Sequence, residues 1–175
     1  DPSGQTKEFF KRKHDDIFFY KKSVNGFFNT DAVRTPYSEG TMRQAETGAI
    51  SFGRIVEVNP LGKIREDVWD IPIINSQAKE RIGYPTQKPE KLLERIIKSS
   101  TKEGDVVMDC FMGSGTTLAV AQRLGRKWIG CDINKGAILV TTERLNKIIK
   151  EQKESNLTKT FKVYNVNHYD VFSND

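Results

Sequence analysis

Apolar residues are spaced with clear period only in the second half of this 175-residue chain. Val106-Val107-Met108, bounded by Gly104-Asp105 and ending at Asp109, is a short apolar run that predicts a buried strand. The chain then turns through Gly113-Ser114-Gly115 into Thr116-Thr117-Leu118-Ala119-Val120-Ala121, a helix-forming segment stopped by Leu124-Gly125. A second apolar strand, residues 128–131, ends on Asp132. Upstream, residues 88–100 carry Leu92, Leu93, Ile96 and Ile97 as one stripe, with Pro89 in the first turn and Thr86 near capping range of Glu90, which predicts a helix. Residues 135–151 predict another, with Ile138, Leu139, Thr142, Leu145, Ile148 and Ile149 on one face. A polar linker over 151–159 leads to Phe161-Lys162-Val163-Tyr164-Asn165-Val166, which alternates like a strand. Ile17-Phe18-Phe19-Tyr20 predicts a central strand over 16–21, entered from the basic loop Lys11-Arg12-Lys13-His14. Between residues 23 and 80 the periodicity is weak. Asn25-Gly26 marks a turn and residues 35–40 a loop, and apolar character returns over 67–74. A long irregular stretch inside a domain is uncommon and is often functional or disordered.

Strand, glycine turn, helix, strand and acid form half of a doubly wound α/β nucleotide fold. Glycines at 113 and 115 let the backbone bend tightly and come close to a ligand. The helix that follows aims free N–H groups and the positive end of its dipole at the turn. Asp132, at the tip of the second strand, can accept hydrogen bonds from ribose hydroxyls. Together these features point to an adenosine-like ligand. A phosphate-binding Walker loop requires a Lys before its Ser or Thr, and none is present. The dinucleotide fingerprint requires Gly or Ala where this chain has Leu118, which argues against a nicotinamide dehydrogenase. Asp109 adds negative charge at the first strand end, suited to a cationic ligand.

Asp109-Cys110-Phe111-Met112-Gly113-Ser114-Gly115-Thr116-Thr117 resembles the S-adenosylmethionine motif of the DNA amino-methyltransferases, which methylate adenine N6 or cytosine N4. Many members have Pro at the position of Cys110. Tyr84-Pro85-Thr86-Gln87-Lys88-Pro89-Glu90 is similar to the segment preceding that motif in the permuted subgroup, where the catalytic motif comes first. The resemblance implies a Rossmann-like S-adenosylmethionine-dependent methyltransferase fold, incomplete here, with an irregular inserted DNA-recognition segment. It implies a division into late sheet strands (1–22), a target-recognition segment (23–80) and a cofactor-binding half (81–175). Cofactor contacts are expected from Lys88, Asp109, Phe111, Gly113, Ser114, Gly115, Thr116, Thr117, Asp132 and Ile133, with Lys88 toward the methionine carboxylate. Asp170 falls where related enzymes sometimes place an acid near the adenine. In this family the pattern around His14 belongs to a late strand, so His14 is expected to be structural.

A net charge of +5 suits double-stranded DNA as partner. Lys11, Arg12, Lys13, Arg34, Arg43, Arg54 and Arg65 are candidate DNA contacts, since Arg can grip phosphate or guanine bidentately. Each can equally be read as a plain surface residue. Two cysteines, no secretory signal and no long apolar run suggest a cytoplasmic protein without a membrane span. Cys110 and Cys131 are expected at the ends of adjacent strands as small buried hydrophobes; neither has the partners of a zinc site.

The family's chemistry uses an acid or amide, two prolines and an aromatic. The first two elements accept the amine hydrogens and localise its lone pair, and the aromatic stacks on the flipped base. Of the six prolines here no two are adjacent. Asp1-Pro2-Ser3-Gly4, Thr35-Pro36-Tyr37 and Asn59-Pro60-Leu61 all fail the pattern, so no catalytic residue is assigned. The expectation is a C-terminal portion of a larger enzyme, adenine N6 favoured, inactive until joined by the missing N-terminal part; a restriction subunit is a further possible partner. A non-catalytic methyltransferase-like subunit and an RNA methyltransferase are the competing classes.

Overall fold

The computed structural model describes residues 14–153 and 160–165. Its centre is a parallel pair of strands, β3 (Val106–Asp109) and β4 (Lys127–Gly130), in the register Val106↔Lys127 to Asp109↔Gly130. The connection is α3 (Thr116–Arg123), whose Leu118, Ala119, Val120 and Ala121 are all buried. Gly125, at φ +74°, ends α3: its N–H donates to Gln122 O, and the next N–H, of Arg126, donates to Ala121 O. Those two bonds satisfy carbonyls that a helix end otherwise leaves bare.

Two further helices, α2 (Glu90–Ser100) and α4 (Lys135–Lys153), pack against α3. Ile97, Val120 and Ala121 form one core, against which Leu93, Val107, Leu124 and Trp128 close. Met112, Leu118 and Leu145 form a second, joined by Trp128, Ile138 and Phe161. Successive strand side chains point to opposite faces. Val107 and Trp128 therefore meet the helices, while Val106, Met108 and Ile129 lie exposed on the other face. Gly130 lets the two layers approach, because a Cβ there would sit 2.4 Å from Leu118 Cδ2 and 2.6 Å from Met112 Sδ.

Residues 23–80 hold more regular structure than their periodicity suggests. A helix, α1 (Glu39–Glu46), begins inside the expected loop, because Ser38 Oγ accepts the Thr41 N–H and caps it. An antiparallel hairpin follows, β1 (Ile50–Ser51) with β2 (Arg54–Ile55), and a single bridge joins Thr35 to Lys63. The segment is tied to α2 by the Asn29 N–H donating to Ser99 O at 2.7 Å and by the Arg95 guanidinium over the Trp69 ring.

Two expected strands do not form. Residues 16–21 run without a ladder, and Ile17, Phe18, Phe19 and Tyr20 are exposed. Residues 161–165 likewise pair with nothing in a ladder; Phe161 instead sets its ring 5.4 Å from that of Trp128. Alternation supplies a strand's two faces, but a strand also needs a partner aligned beside it, and among the described residues neither segment lies in a ladder. Val166, Asp170 and the basic residues Lys11, Arg12 and Lys13 lie outside the described residues. Among the described residues no helix is long and apolar enough to cross a membrane.

Candidate cofactor site

The two strand tips and the turn between them are stitched into one unit. The Cys131 N–H donates to Asp109 O at 3.0 Å, and the Met112 N–H donates to Cys131 O at 3.1 Å. Asp109 Oδ1 accepts the Phe111 N–H at 3.0 Å. Asp132 does more: Oδ2 accepts the Gly113 N–H at 2.9 Å, and Oδ1 accepts the Asn134 N–H at 2.8 Å. An ionised carboxylate has about four acceptor positions. Asp132 is half-buried, and two of those positions are taken by these backbone N–H groups.

Gly113 and Gly115 both have positive φ, +48° and +69°. At Gly115 space is also decisive, since a Cβ would fall 2.4 Å from Thr141 Cγ2. Thr141 reaches the same turn by donating its hydroxyl to Gly113 O at 3.0 Å. The Tyr84 ring lies against Gly113, its Cε1 3.5 Å from where a Cβ would stand. This brings the segment around residues 84–90 next to the glycine turn. No side chain caps α3, so its first N–H groups are available at the crevice.

Behind the turn sits an ion network that periodicity alone does not reveal. The buried Arg144 donates through Nη1 to Ser114 O (3.0 Å) and Thr116 Oγ1 (3.1 Å), and through Nη2 to Glu90 Oε1 (2.7 Å). Arg123 Nη1 takes the other Glu90 oxygen at 2.6 Å. Burial pushes the Glu90 carboxyl up, but the bonds from Arg123 and Arg144 outweigh it and hold the group below the ordinary carboxylate range. The backbone N–H of Glu90 donates to Glu80 Oε2, so α2 is capped from ten residues upstream and not by Thr86. Gln87 fixes the loop between them, donating to Glu80 O and accepting the Ile82 N–H.

The residues expected to bind cofactor thus divide by direction. Asp109, Gly113, Gly115 and Asp132 come together at the strand tips and the turn between them. Phe111 and Ile133 stand out from it, both almost wholly exposed. The Ser114 and Thr116 hydroxyls face each other at 3.1 Å and are buried, holding the turn from inside. Thr117 is half-buried in the first turn of α3, and Lys88 is exposed just before α2. Cys110 and Cys131 do end adjacent strands, but they are exposed and not core hydrophobes, because no layer covers that side of the two-stranded sheet. Desolvation first, then Cys110 and the charges of Asp109 and Asp132, push the Cys131 thiol up.

Of the candidate DNA contacts, Arg34 is committed to Asp31 Oδ1 (2.6 Å) and Gly62 O (2.8 Å), and Arg65 donates to Val33 O (2.8 Å). These two brace the loop. Arg43 and Arg54 are exposed. His14 is exposed, with Nε2 3.8 Å from Asp16. A shallow hollow lined by Asn146, Ile149, Lys150, Thr160 and Phe161 lies toward the far end of α4, not at the glycine turn.

A parallel strand pair with an acid at each tip and a helix between them is one half of a doubly wound α/β unit. The chain belongs to the DNA methylase family N6_N4_Mtase, which matches residues 2–143. The type II methyltransferase M1.MboII of Moraxella bovis is 41% identical over 144 residues, 77% of this chain and 54% of that protein. The DNA adenine methyltransferase YhdJ of Escherichia coli is 35% identical over 173 residues, 91% of this chain and 57% of that protein. The chain spans about half the length of these curated relatives. The crystal structure of the M1.HpyAVI-SAM complex aligns over 49% of this chain and 43% of its own, at 36% identity and a TM-score of 0.40.

Proposed function

We propose that these residues form the cofactor-binding portion of a DNA methyltransferase that uses S-adenosylmethionine to methylate an exocyclic base amine, adenine N6 ahead of cytosine N4. The observation that carries the reading is the Asp132 carboxylate bonded to the Gly113 N–H beneath an uncapped α3, in a chain of the DNA methylase family. The residues fit the cofactor. Gly113 and Gly115 hold the tight positive-φ turn between the strand tips, and Asp132 has acceptor positions left for ribose hydroxyls. Asp109 gives the negative field that a sulfonium prefers. Lys88 is a free-standing cation for the methionine carboxylate. When bound, S-adenosylmethionine supplies an electrophilic methyl group. Adenine is favoured because YhdJ, similar over most of this chain, is named a DNA adenine methyltransferase.

The residues that would strip and orient the base amine are supplied from outside these 175, which contain no acid–Pro–Pro–aromatic run. Parallel sheets are covered on both faces. The bare face of Val106, Met108 and Ile129 is where that further part of the polypeptide packs. The portion described here accordingly does not methylate DNA alone.

The test is to incubate the full-length protein with methyl-labelled S-adenosylmethionine and either duplex DNA or RNA, then digest to nucleosides. Label in N6-methyl-2′-deoxyadenosine from DNA is expected. Label in N4-methyl-2′-deoxycytidine corrects the base, label in RNA nucleosides corrects the substrate, and label in neither rejects the reading.

A further inference from the structure

The hairpin β1–β2 turns through two residues, Phe52 and Gly53, with φ of +49° and +77°. A two-residue turn with both central residues left-handed is favoured between twisted strands, and Asn-Gly or Gly-Gly satisfies it with least strain. A bulky side chain at positive φ is an outlier. Phe52 is the only non-glycine residue with positive φ among the described residues. Its ring is also fully exposed, so no packing compensates for the backbone conformation. Such an outlier points toward function.

The arm that carries this ring is fixed at its base. The Val56 N–H donates to Ala49 O, and the Ala49 N–H donates to Gln44 O at the end of α1, both at 2.9 Å. Beyond that base, residues 50–55 are exposed throughout. Ile50 pairs with Ile55, and Ser51 pairs with Arg54 directly below the tip. The result is a narrow two-stranded ribbon with one aromatic at its end and a guanidinium beside it. Strands of two residues offer little edge for another protein to extend. Nucleic-acid grooves accept a two-stranded ribbon, and apolar tips enter base steps there.

We propose that Phe52 is a wedge that enters the DNA base stack and occupies the space left when the target base is extruded, with Arg54 on the adjoining phosphate. This rests on the DNA-methyltransferase reading above. An exocyclic amine inside a duplex cannot be reached without extruding its nucleotide, which costs stacking and pairing. An aromatic ring that fills the gap returns part of that stacking and lowers the cost.

The experiment uses the full-length protein and a duplex carrying the sequence it methylates, located by sequencing methylated DNA. Binding is compared for wild type, Phe52→Ala, Phe52→Trp and Phe52→Asn on two duplexes, one with the target paired and one with it mismatched. On the paired duplex Phe52→Ala is expected to weaken binding about tenfold or more, the scale of one lost stacking contact. On the mismatched duplex, where extrusion is already cheap, the loss shrinks to within about threefold. Phe52→Trp keeps both affinities. Phe52→Asn, whose side chain tolerates the left-handed turn, melts at or above the wild-type temperature yet shows the Ala defect. Equal losses on both duplexes, no loss on either, or a Phe52→Asn protein that melts well below wild type would each overturn the wedge. If wild type binds and methylates DNA while the variants match it, the wedge alone falls. If wild type does neither, the DNA reading falls with it.

Discussion

Asp132 and the glycines it serves set the shape of the crevice. Its carboxylate is shared between two backbone N–H groups that nothing else satisfies, those of Gly113 and Asn134. Hydrogen bonds to a charged group contribute roughly 1.5–3 kcal/mol each. Replacing Asp132 with Ala removes both bonds and should cost about 3 kcal/mol of stability by urea denaturation, the low end for two such bonds because the carboxylate is half-exposed. At Gly115 two penalties combine, a positive φ and a collision with Thr141, and Gly115→Ala should cost about 1–3 kcal/mol in the same assay. The acids and glycines were legible in the sequence because each sits at a strand end or a turn, where local chemistry is informative. Tyr84 stands in a segment the resemblance points to, but its contact with Gly113, like those of Thr141 and Arg144 with the turn, has no local signal. They reach the turn across about 29, 28 and 30 positions of chain, and only packing brings them there.

Three helices are locked to the turn by one pair of charges. Glu90 at the start of α2 meets Arg144 of α4, and Arg144 holds the carbonyl of Ser114 and the hydroxyl of Thr116 at the start of α3. Removing Arg144 leaves Glu90 with Arg123 alone, and removing Glu90 leaves the buried Arg144 charge without its carboxylate. Arg144→Leu should destabilise by about 3 kcal/mol, and the Glu90→Gln, Arg144→Leu double variant by less than the sum of the singles, as a double-mutant cycle in urea would read. The depressed Glu90 carboxyl fixes a pH dependence. The unfolded chain takes up the proton first, so the stabilisation is present above the unfolded carboxylate pKa and is lost as pH falls through the lower folded one. The melting temperature should drop on acidification, and less steeply in Glu90→Gln. At this level the helices after residue 88 were readable from their stripes. Among the described residues, 16–21 and 161–165 form no strand, since a ladder depends on a neighbour that local alternation cannot supply. The hairpin escaped notice for the opposite reason. Its turn carries Phe52 where Asn or Gly is the expected signal, and its strands are too short to alternate.

Among the described residues the parallel pair β3–β4 is covered by helices on one face. Val106, Met108 and Ile129 are apolar and exposed, and the relatives are about twice as long as the matched stretch. If the remaining polypeptide covers that face, Met108→Ala in the full-length protein should cost about 2–5 kcal/mol, the range of a buried truncation, and a cost under about 0.5 kcal/mol would leave the face open to solvent. The α/β fold class is readable from residues 105–132 because one strand–turn–helix–strand unit carries it. All of the functional reading depends on the crevice between Asp109 and Asp132 holding a sulfonium nucleoside. Calorimetric titration of S-adenosylmethionine into the full-length protein tests this directly, with Asp132→Ala and Gly113→Val alongside. Saturable one-site binding in wild type, weakened at least about tenfold in both variants, is the expected outcome, since each change removes a charged acceptor or fills the floor of the crevice. Undiminished affinity in both variants, or no binding to wild type, would contradict it.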